Sequence, residues 1–117
     1  MDSFARGASI PRTITLTDGT NALDTANFLT IEVKVRHRKW DTLLGTYTLA
    51  DGEVTRESPT SGGQITFIIP ADTTTDLPVG VYSYQVTTTE TDADYEDSTR
   101  TRRLVPADGF YLKKALT

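Results

Sequence analysis

The chain contains no cysteine and a single histidine, His37. Without cysteine, disulfide bonds, thiolate zinc sites and cysteine nucleophiles are excluded. A serine–histidine–aspartate site would need His37 next to an activated serine, and the sequence has no Gly-x-Ser-x-Gly elbow. His37 continues the apolar face of a predicted strand, which is typical of a histidine at a core edge or in a turn. We therefore expect no catalytic residues, no cofactor and no enzymatic activity.

Long apolar segments and an excess of positive charge are missing as well. No apolar run approaches the ~20 residues that a membrane-spanning helix needs. Residues 1–7 lack the apolar core of a signal peptide, so we expect synthesis without secretion. The formal net charge is −4, whereas binding to phosphate backbones favours a basic surface. The sequence therefore predicts neither a membrane nor a nucleic-acid partner.

Threonine, in contrast, is abundant at about one residue in five. Its branched side chain fits a pleated, half-buried surface better than a helix. Alternation of apolar and polar residues is clearest at 29–37, where Leu29, Ile31 and Val33 would face one way. Similar patterns at 12–17, 43–49, 64–69, 81–89 and 98–105 predict further strands. Short strands separated by Gly and Pro indicate an all-β sandwich or barrel.

A tyrosine-rich corner refines this prediction. The segment DLPVGVYSY at 76–84 combines a turn, a glycine and a strand with two tyrosines at alternate positions. In immunoglobulin-like sandwiches such a corner has a tyrosine hydroxyl bonded to backbone a few residues upstream. We assign Gly80, Tyr82 and Tyr84 to it and predict an antiparallel immunoglobulin-like β-sandwich of about seven strands. The predicted core contains Ile14, Ile31, Val33, Ile65, Phe67, Tyr84 and Val86.

The length of 117 residues indicates one domain over 1–117. Residues 1–9 are expected to form an N-terminal arm and residues 106–117 a C-terminal tail. An exposed apolar tail usually docks on a neighbouring protein, although packing against its own domain is an equal alternative here. The residues that we expect at a protein interface are Phe4, Arg6, Phe110, Tyr111 and Leu112.

Two charged clusters have both a functional and a structural interpretation. A basic and aromatic group at 34–40, with a second basic group at 100–103, resembles a surface on which bases stack. Nearby carboxylates at Glu32, Asp41 and Glu96 instead favour ion pairs on a strand surface. An acidic group comprises Glu90, Asp92, Asp94, Glu96 and Asp97.

This acidic group does not fit a calcium-binding EF-hand loop. Counted from Asp92, such a loop needs glycine at its sixth position and glutamate at its twelfth, where this chain has Asp97 and Arg103. We therefore predict no metal site, and a solvated hairpin tip in its place. Charges at such a tip discourage unwanted strand pairing.

Several motifs in order resemble the immunoglobulin-like domains of bacteriophage baseplate and tail proteins. The chain has an Arg-Gly step at 6–7 followed by an alternating strand that ends at Asp18. It then has a strand at 29–35, the segment GQITF at 63–67 and a Pro-x-Gly-x-Tyr step at 78–82. Pro106 follows the last strand. The resemblance covers roughly residues 3–109.

This resemblance implies a non-enzymatic structural protein of a virion, in the tail or baseplate, assembled in the bacterial cytoplasm. Its implied partners are other virion proteins and copies of itself, which it would join as a homo-oligomer through edge strands and terminal segments. Two alternatives remain open. One is a decoration protein on the capsid surface, and the other is a carbohydrate-binding module that stacks sugars on Trp40 and Tyr47.

Overall fold

A computed structural model describes residues 2–94, 98–106 and 109–114 of the chain, and strands are their main secondary structure. The all-β prediction is confirmed. The described residues form nine strands, compared with the expected seven or so. These are β1 (Asp2–Ala5), β2 (Ile10–Thr15), β3 (Phe28–His37), β4 (Leu43–Thr48), β5 (Thr55–Arg56), β6 (Gln64–Ile69), β7 (Gly80–Thr91), β8 (Thr99–Leu104) and β9 (Gly109–Lys113). One helical turn, α1 (Ala71–Thr74), and 3-10 turns at Thr25–Asn27 and Thr60–Gly62 complete the described elements.

The strands form two sheets. The larger sheet has the order β1-β9-β7-β3-β4, and β8 pairs with β7 beyond the end of β9. The smaller sheet has the order β2-β6-β5. Every pairing between these strands is antiparallel except that of β1 with β9, which is parallel. The expectation of a purely antiparallel fold is therefore wrong at this one edge.

The apolar faces of the two sheets share one core. Because side chains alternate along a strand, β2 buries Ile10, Arg12 and Ile14 and exposes the residues between them. The larger sheet contributes buried side chains from β3, β7 and β9 to the same cluster. All seven predicted core residues are at most 3% exposed. This confirms the prediction that alternate side chains of these strands meet in the interior.

Bulges break the expected alternation at two places. The register between β3 and β7 shifts between Phe28 and Thr30, so Phe28 is buried and Leu29 is exposed. The register between β3 and β4 shifts between Val35 and Arg36, and Leu44 then lies on the buried side together with Tyr47. The expectation that Leu29 faces the same way as Ile31 and Val33 is therefore wrong.

Both predicted terminal segments belong to the larger sheet. Strand β9 lies between β1 and β7, and Phe110 and Leu112 are fully buried in the core. The N-terminal segment pairs with β9, and the backbone N–H of Gly7 donates to the Thr74 hydroxyl at 2.9 Å. Within the described residues, the predicted arm over 1–9 contains strand β1 and the predicted tail over 106–117 contains strand β9. Residues 107–108 and 115–117 lie outside the described part.

The predicted tyrosine corner is present. The Tyr82 hydroxyl donates to the carbonyl oxygen of Pro78 at 2.8 Å, and its ring stacks on Phe110 with 5.4 Å between centroids. Burial raises the pKa of this hydroxyl above its ordinary value. Gly80 has φ +135°, and a Cβ there would lie 2.5 Å from Nε2 of His37. A side chain at position 80 would therefore distort the corner.

His37 is a buried turn histidine, as predicted. Its Nδ1 accepts hydrogen bonds from the backbone N–H groups of Lys39 and Trp40, both at 3.1 Å. Its Nε2 lies 3.0 Å from the carbonyl oxygen of Val79. Because Nδ1 is an acceptor, the ring proton lies on Nε2 and is donated to Val79. The imidazole thus joins the β3–β4 turn to the segment that precedes β7.

Candidate functional site

A buried arginine joins the two sheets at the β1 end of the molecule. Arg12 lies on β2 and points inward. Its Nε donates to the Tyr84 hydroxyl at 2.7 Å, and one terminal nitrogen donates to the carboxylate of Asp2 at 2.9 Å. The other terminal nitrogen donates to the carbonyl oxygen of Gly109 at 3.4 Å, and the guanidinium lies 5.6 Å from the ring centre of Phe4. This Arg12 hub contacts β1, β7 and β9 from the opposite sheet.

Electrostatics keep the Arg12 hub charged. Burial alone lowers the pKa of Arg12, but the hydrogen bond to Asp2 and the interactions with Tyr84 outweigh it and raise that pKa above its ordinary value. Tyr84, assigned to the corner from the sequence, instead accepts from Arg12. The position of Arg12 between Ile10 and Ile14 in an alternating strand was the signal for its inward direction. The sequence interpretation gave Arg12 no inward role.

The outer edge of β2 is open. Among the described residues, β2 pairs only with β6. The N–H of Leu16 donates to the carbonyl oxygen of Gly63, which directs the backbone of Leu16, and by alternation that of Ile14 and Arg12, toward β6. The backbone N–H and C=O groups of Thr13 and Thr15 therefore point away from the sheet.

Thr17 extends this edge by one more outward residue. It forms an isolated antiparallel bridge with Ala22. The hydrogen bonds on either side of the bridge run from Leu23 N–H to Leu16 and from Asp18 N–H to Asn21. That arrangement is the non-hydrogen-bonded type of antiparallel pair, so the N–H and C=O of Thr17 also point outward. We call residues 13–17 the β2 edge.

The β2 edge has no charged side chain, whereas the other edges are short, irregular or charged. Strand β5 has two residues and β1 has four, and β4 follows a bulge. Strand β8 contains Arg100, Arg102 and Arg103. Natural proteins guard exposed edges in these ways. At the β2 edge, features that block further strand pairing occur only at the two ends. Pro11 has no N–H to donate, and the chain turns at Asp18.

A groove runs along the β2 edge between the two sheets. It has a volume of about 470 Å³ and is bounded on its far side by Leu104, Val105 and Pro106. Val105 is 74% exposed, and Leu104 packs against the core from its rim. A strand added to β2 would therefore gain outward backbone groups along one side and apolar contacts along the other.

The five residues predicted for docking have different positions. Phe110 and Leu112 are fully buried, so their predicted role as exposed anchors is wrong, because the chain's own β1 and β7 cover them. Phe4 is half-buried with its ring edge-on to Phe110 at 6.1 Å. Arg6 donates to the carbonyl oxygen of Leu77 at 3.2 Å. Tyr111, also on β9, is 41% exposed, so its ring could still contact a partner.

A second exposed aromatic surface lies at the β3–β4 turn. Trp40 is 62% exposed, with the ammonium of Lys39 4.8 Å from its ring centre, and Val79 lines the same shallow pocket. Tyr47 does not belong to it. That ring is buried and stacks on Phe67 at 5.4 Å, and burial raises its pKa to about 12. The expectation of Tyr47 as a sugar platform is wrong, because the β4 bulge turns it inward.

The two basic groups do not form one surface. Strand β7 separates β3 from β8, and Arg102 lies beside Thr88 while Arg36 lies beside Ser83. Arg36 pairs with Asp41 at 4.0 Å and Lys34 with Glu32 at 3.8 Å, as the neighbouring carboxylates indicated. In the acidic group, Glu90 and Arg102 form an ion pair across the β7–β8 hairpin. Glu96 and Asp97 lie outside the described residues.

Residues 2–94, 98–106 and 109–114 contain neither a metal-binding cluster nor a membrane-spanning helix. No group of three or more acidic or histidine side chains is placed to hold a metal ion. No helix in this part is long and apolar enough to cross a bilayer. Comparisons with protein families, with curated proteins and with solved structures find no match to this chain.

Proposed function

We propose that the chain is a non-enzymatic structural protein of a bacteriophage virion, located in the tail or baseplate, that assembles by strand addition at the β2 edge. The observation that carries this proposal is the open, uncharged edge at residues 13–17 beside an apolar groove. Backbone hydrogen bonds across such an edge give affinity, and side-chain contacts beside it give selectivity.

The fold supports an immunoglobulin-like assignment in two respects. Two sheets share one core, and the Tyr82 hydroxyl bonds to backbone four residues upstream. The motif order that resembles phage baseplate and tail domains covers the same strands. We therefore assign the chain to an immunoglobulin-like sandwich whose partners are virion proteins, including copies of itself.

Thr15→Pro is expected to block strand addition without disrupting the smaller sheet. The N–H that proline removes points outward, so the β2–β6 hydrogen bonds stay intact, and proline is tolerated at such edge positions. In phage particles produced from a genome encoding the variant, we expect incorporation of the chain to fall at least tenfold. Quantitative immunoblotting of purified particles measures this, and immunogold labelling of unmodified particles places the chain at the tail, baseplate or capsid.

Thr101→Pro is the matched control. Thr101 is an exposed residue of β8 and lies opposite Thr89 of β7. The N–H of Asp92 donates to the carbonyl oxygen of Ser98, so the backbone of Ser98 points toward β7. By alternation, the N–H of Thr101 points away from β7. This variant is expected to enter particles within twofold of the unmodified level. Equal loss for both variants would contradict a specific role of β2, and purified particles lacking the chain would contradict a virion role. Labelling of the capsid surface would favour the decoration alternative.

Carbohydrate binding is the second candidate function, and the exposure of Trp40 favours it. An indole face in solvent can stack on a sugar ring, although here Lys39 already lies over it. If Trp40 is a sugar platform, Trp40→Ala should abolish binding on a glycan array and in calorimetric titration while leaving circular dichroism unchanged. Under the assembly proposal, neither the unmodified chain nor Trp40→Ala binds glycans, and Trp40→Ala enters particles normally.

A further inference from the structure

We propose that the occupant of the β2 edge is the β2 edge of a second copy, paired antiparallel about a two-fold axis at Thr15. This inference rests on the proposed strand-addition function and specifies its partner. The two smaller sheets would then join into one continuous sheet of the order β5-β6-β2-β2-β6-β5. The contact is the same patch on both copies, so it closes as a dimer.

The chemistry of residues 13–17 is symmetric about Thr15. A two-fold axis there places Thr13 opposite the partner's Thr17, and Ile14 opposite the partner's Leu16. Thr15 faces the partner's Thr15. Each position therefore meets a residue of its own kind, threonine with threonine on the solvent face and aliphatic with aliphatic on the core face. A segment must be self-complementary in this way to form a two-fold contact.

The direction of the backbone groups agrees with this register. The outward residues are Thr13, Thr15 and Thr17, and the axis at Thr15 pairs outward residues only with outward residues. Each such pair exchanges two N–H···O bonds, which gives about six bonds across the contact. The ladder would end at Pro11, which has no N–H to donate, opposite the partner's Gly19 in its turn. Its length is thus set by the same features that bracket the β2 edge.

Charge also permits the pairing of two copies. Like charges directly opposite one another destabilise a strand pair, and residues 13–17 carry none. The nearest charges are Arg12 and Asp18, which have opposite signs and lie at equal distances from Thr15. The axis therefore brings Asp18 toward the partner's Arg12. Arg12 remains directed into its own core and Asp18 accepts from the N–H groups of Thr20 and Asn21, so the attraction acts at longer range.

The contact is small. Five paired residues with a few apolar neighbours bury less than the ~1,200–2,000 Å² of a stable interface. We therefore expect the isolated pair to dissociate in dilute solution. At the high effective concentration within a particle, the same contact becomes favourable without any new interaction.

Cross-linking provides a direct test because the chain has no cysteine of its own. Across the axis the two Cβ atoms at position 15 lie about 5.5 Å apart, because this pair is of the wider, hydrogen-bonded type. A direct disulfide needs about 3.5–4.5 Å, so a short bifunctional thiol reagent is used as the cross-linker. Thr15→Cys is expected to form a covalent dimer with this reagent. On non-reducing gels, its dimerisation rate should exceed that of the controls at least tenfold. All the substituted threonines are exposed, and circular dichroism checks that each variant is folded.

Thr13→Cys and Thr101→Cys are the controls. Position 13 is displaced by about 14 Å along the strand from its own copy in the partner, so the single variant should remain monomeric. The double variant Thr13→Cys, Thr17→Cys should dimerise, because it places a cysteine opposite a cysteine twice. A dimer of Thr13→Cys that forms as fast as that of Thr15→Cys would overturn the register.

Two further outcomes separate this inference from the proposed function. If Thr15→Cys stays monomeric while Thr15→Pro still lowers incorporation into particles, the edge takes another protein and the two-fold pairing is wrong. If Thr15→Cys dimerises while Thr15→Pro enters particles normally, the pairing stands and its proposed role in the virion is wrong.

Discussion

Replacing Phe110 by alanine is expected to lower the free energy of unfolding by about 3–5 kcal/mol. Phe110 is fully buried and lies in a cluster of rings, stacked on Tyr82 at 5.4 Å and in contact with Phe4 and Tyr84 at 6.1 Å each. Truncation removes these contacts and leaves a cavity between β7 and β1. Denaturation in urea, followed by far-ultraviolet circular dichroism, measures the change. A loss of this size is a large fraction of the ~5–15 kcal/mol that stabilises a typical domain.

Tyr111→Ala is the control for Phe110→Ala, because Tyr111 is its neighbour on β9 and its side chain faces solvent. We expect a loss of about 1 kcal/mol or less. Equal losses for the two variants would contradict the placement of β9 in the sheet. The comparison also guards against a wrong conclusion, since a Phe110 variant that fails to assemble would do so because it is unfolded, whereas a Tyr111 variant would report on docking.

Arg12→Met is expected to cost about 2–4 kcal/mol of stability. Methionine fills similar space but loses the bond to the buried Tyr84 hydroxyl, the bond to the carbonyl of Gly109 and the ion pair with Asp2. Loss of one partner from a buried polar group costs about 1–3 kcal/mol, and breaking a buried ion pair costs more. Asp2 is largely exposed, which moderates the second effect. Urea denaturation at neutral pH gives the value.

Arg36→Met is the matched control for Arg12→Met. Arg36 is half-buried on β3, and its ion-pair partner Asp41, 4.0 Å away, is exposed. The stability loss of Arg36→Met should therefore stay below about 1 kcal/mol. The stability loss of Arg12→Lys is expected to lie between those of Arg12→Met and Arg36→Met. An ammonium keeps the positive charge but lacks the planar guanidinium that reaches three acceptors. If Arg12→Met proved no more costly than Arg36→Met, the Arg12 hub would have no structural role.

Local patterns in the sequence predicted most of the sheet. Alternation predicted β2, β3, β4, β6, β7 and β8, together with seven apolar residues that are buried on β2, β3, β6 and β7, because a strand with one buried face has a period of two. The corner around Tyr82 was predicted because its hydrogen bond spans four residues. Bulges at β3 and β4 were not predicted, since an inserted residue changes which face is buried without changing composition.

The features of the candidate site that were missed depend on distant parts of the chain. Arg12 is buried because Tyr84, Asp2 and Gly109 converge on it from separate strands. Phe110 and Leu112 look like an exposed tail until β1 pairs with β9. The β2 edge is evident only from the sheet order, in which β2 pairs with β6 alone within the part of the chain that the structure describes. From the sequence alone, the threonines at 13, 15 and 17 indicate only the polar face of a strand.

The parallel pairing of β1 with β9 has a mechanical consequence. These strands lie near the two ends of the described chain, and Asp2 is level with Phe110 while Ala5 is level with Lys113. A tension that pulls the chain before Asp2 away from the chain after Lys113 slides one strand along the other. All their hydrogen bonds then bear load together in shear rather than opening one by one. The ion pair of Asp2 with Arg12 adds a further tether at the point where such a pull enters the domain.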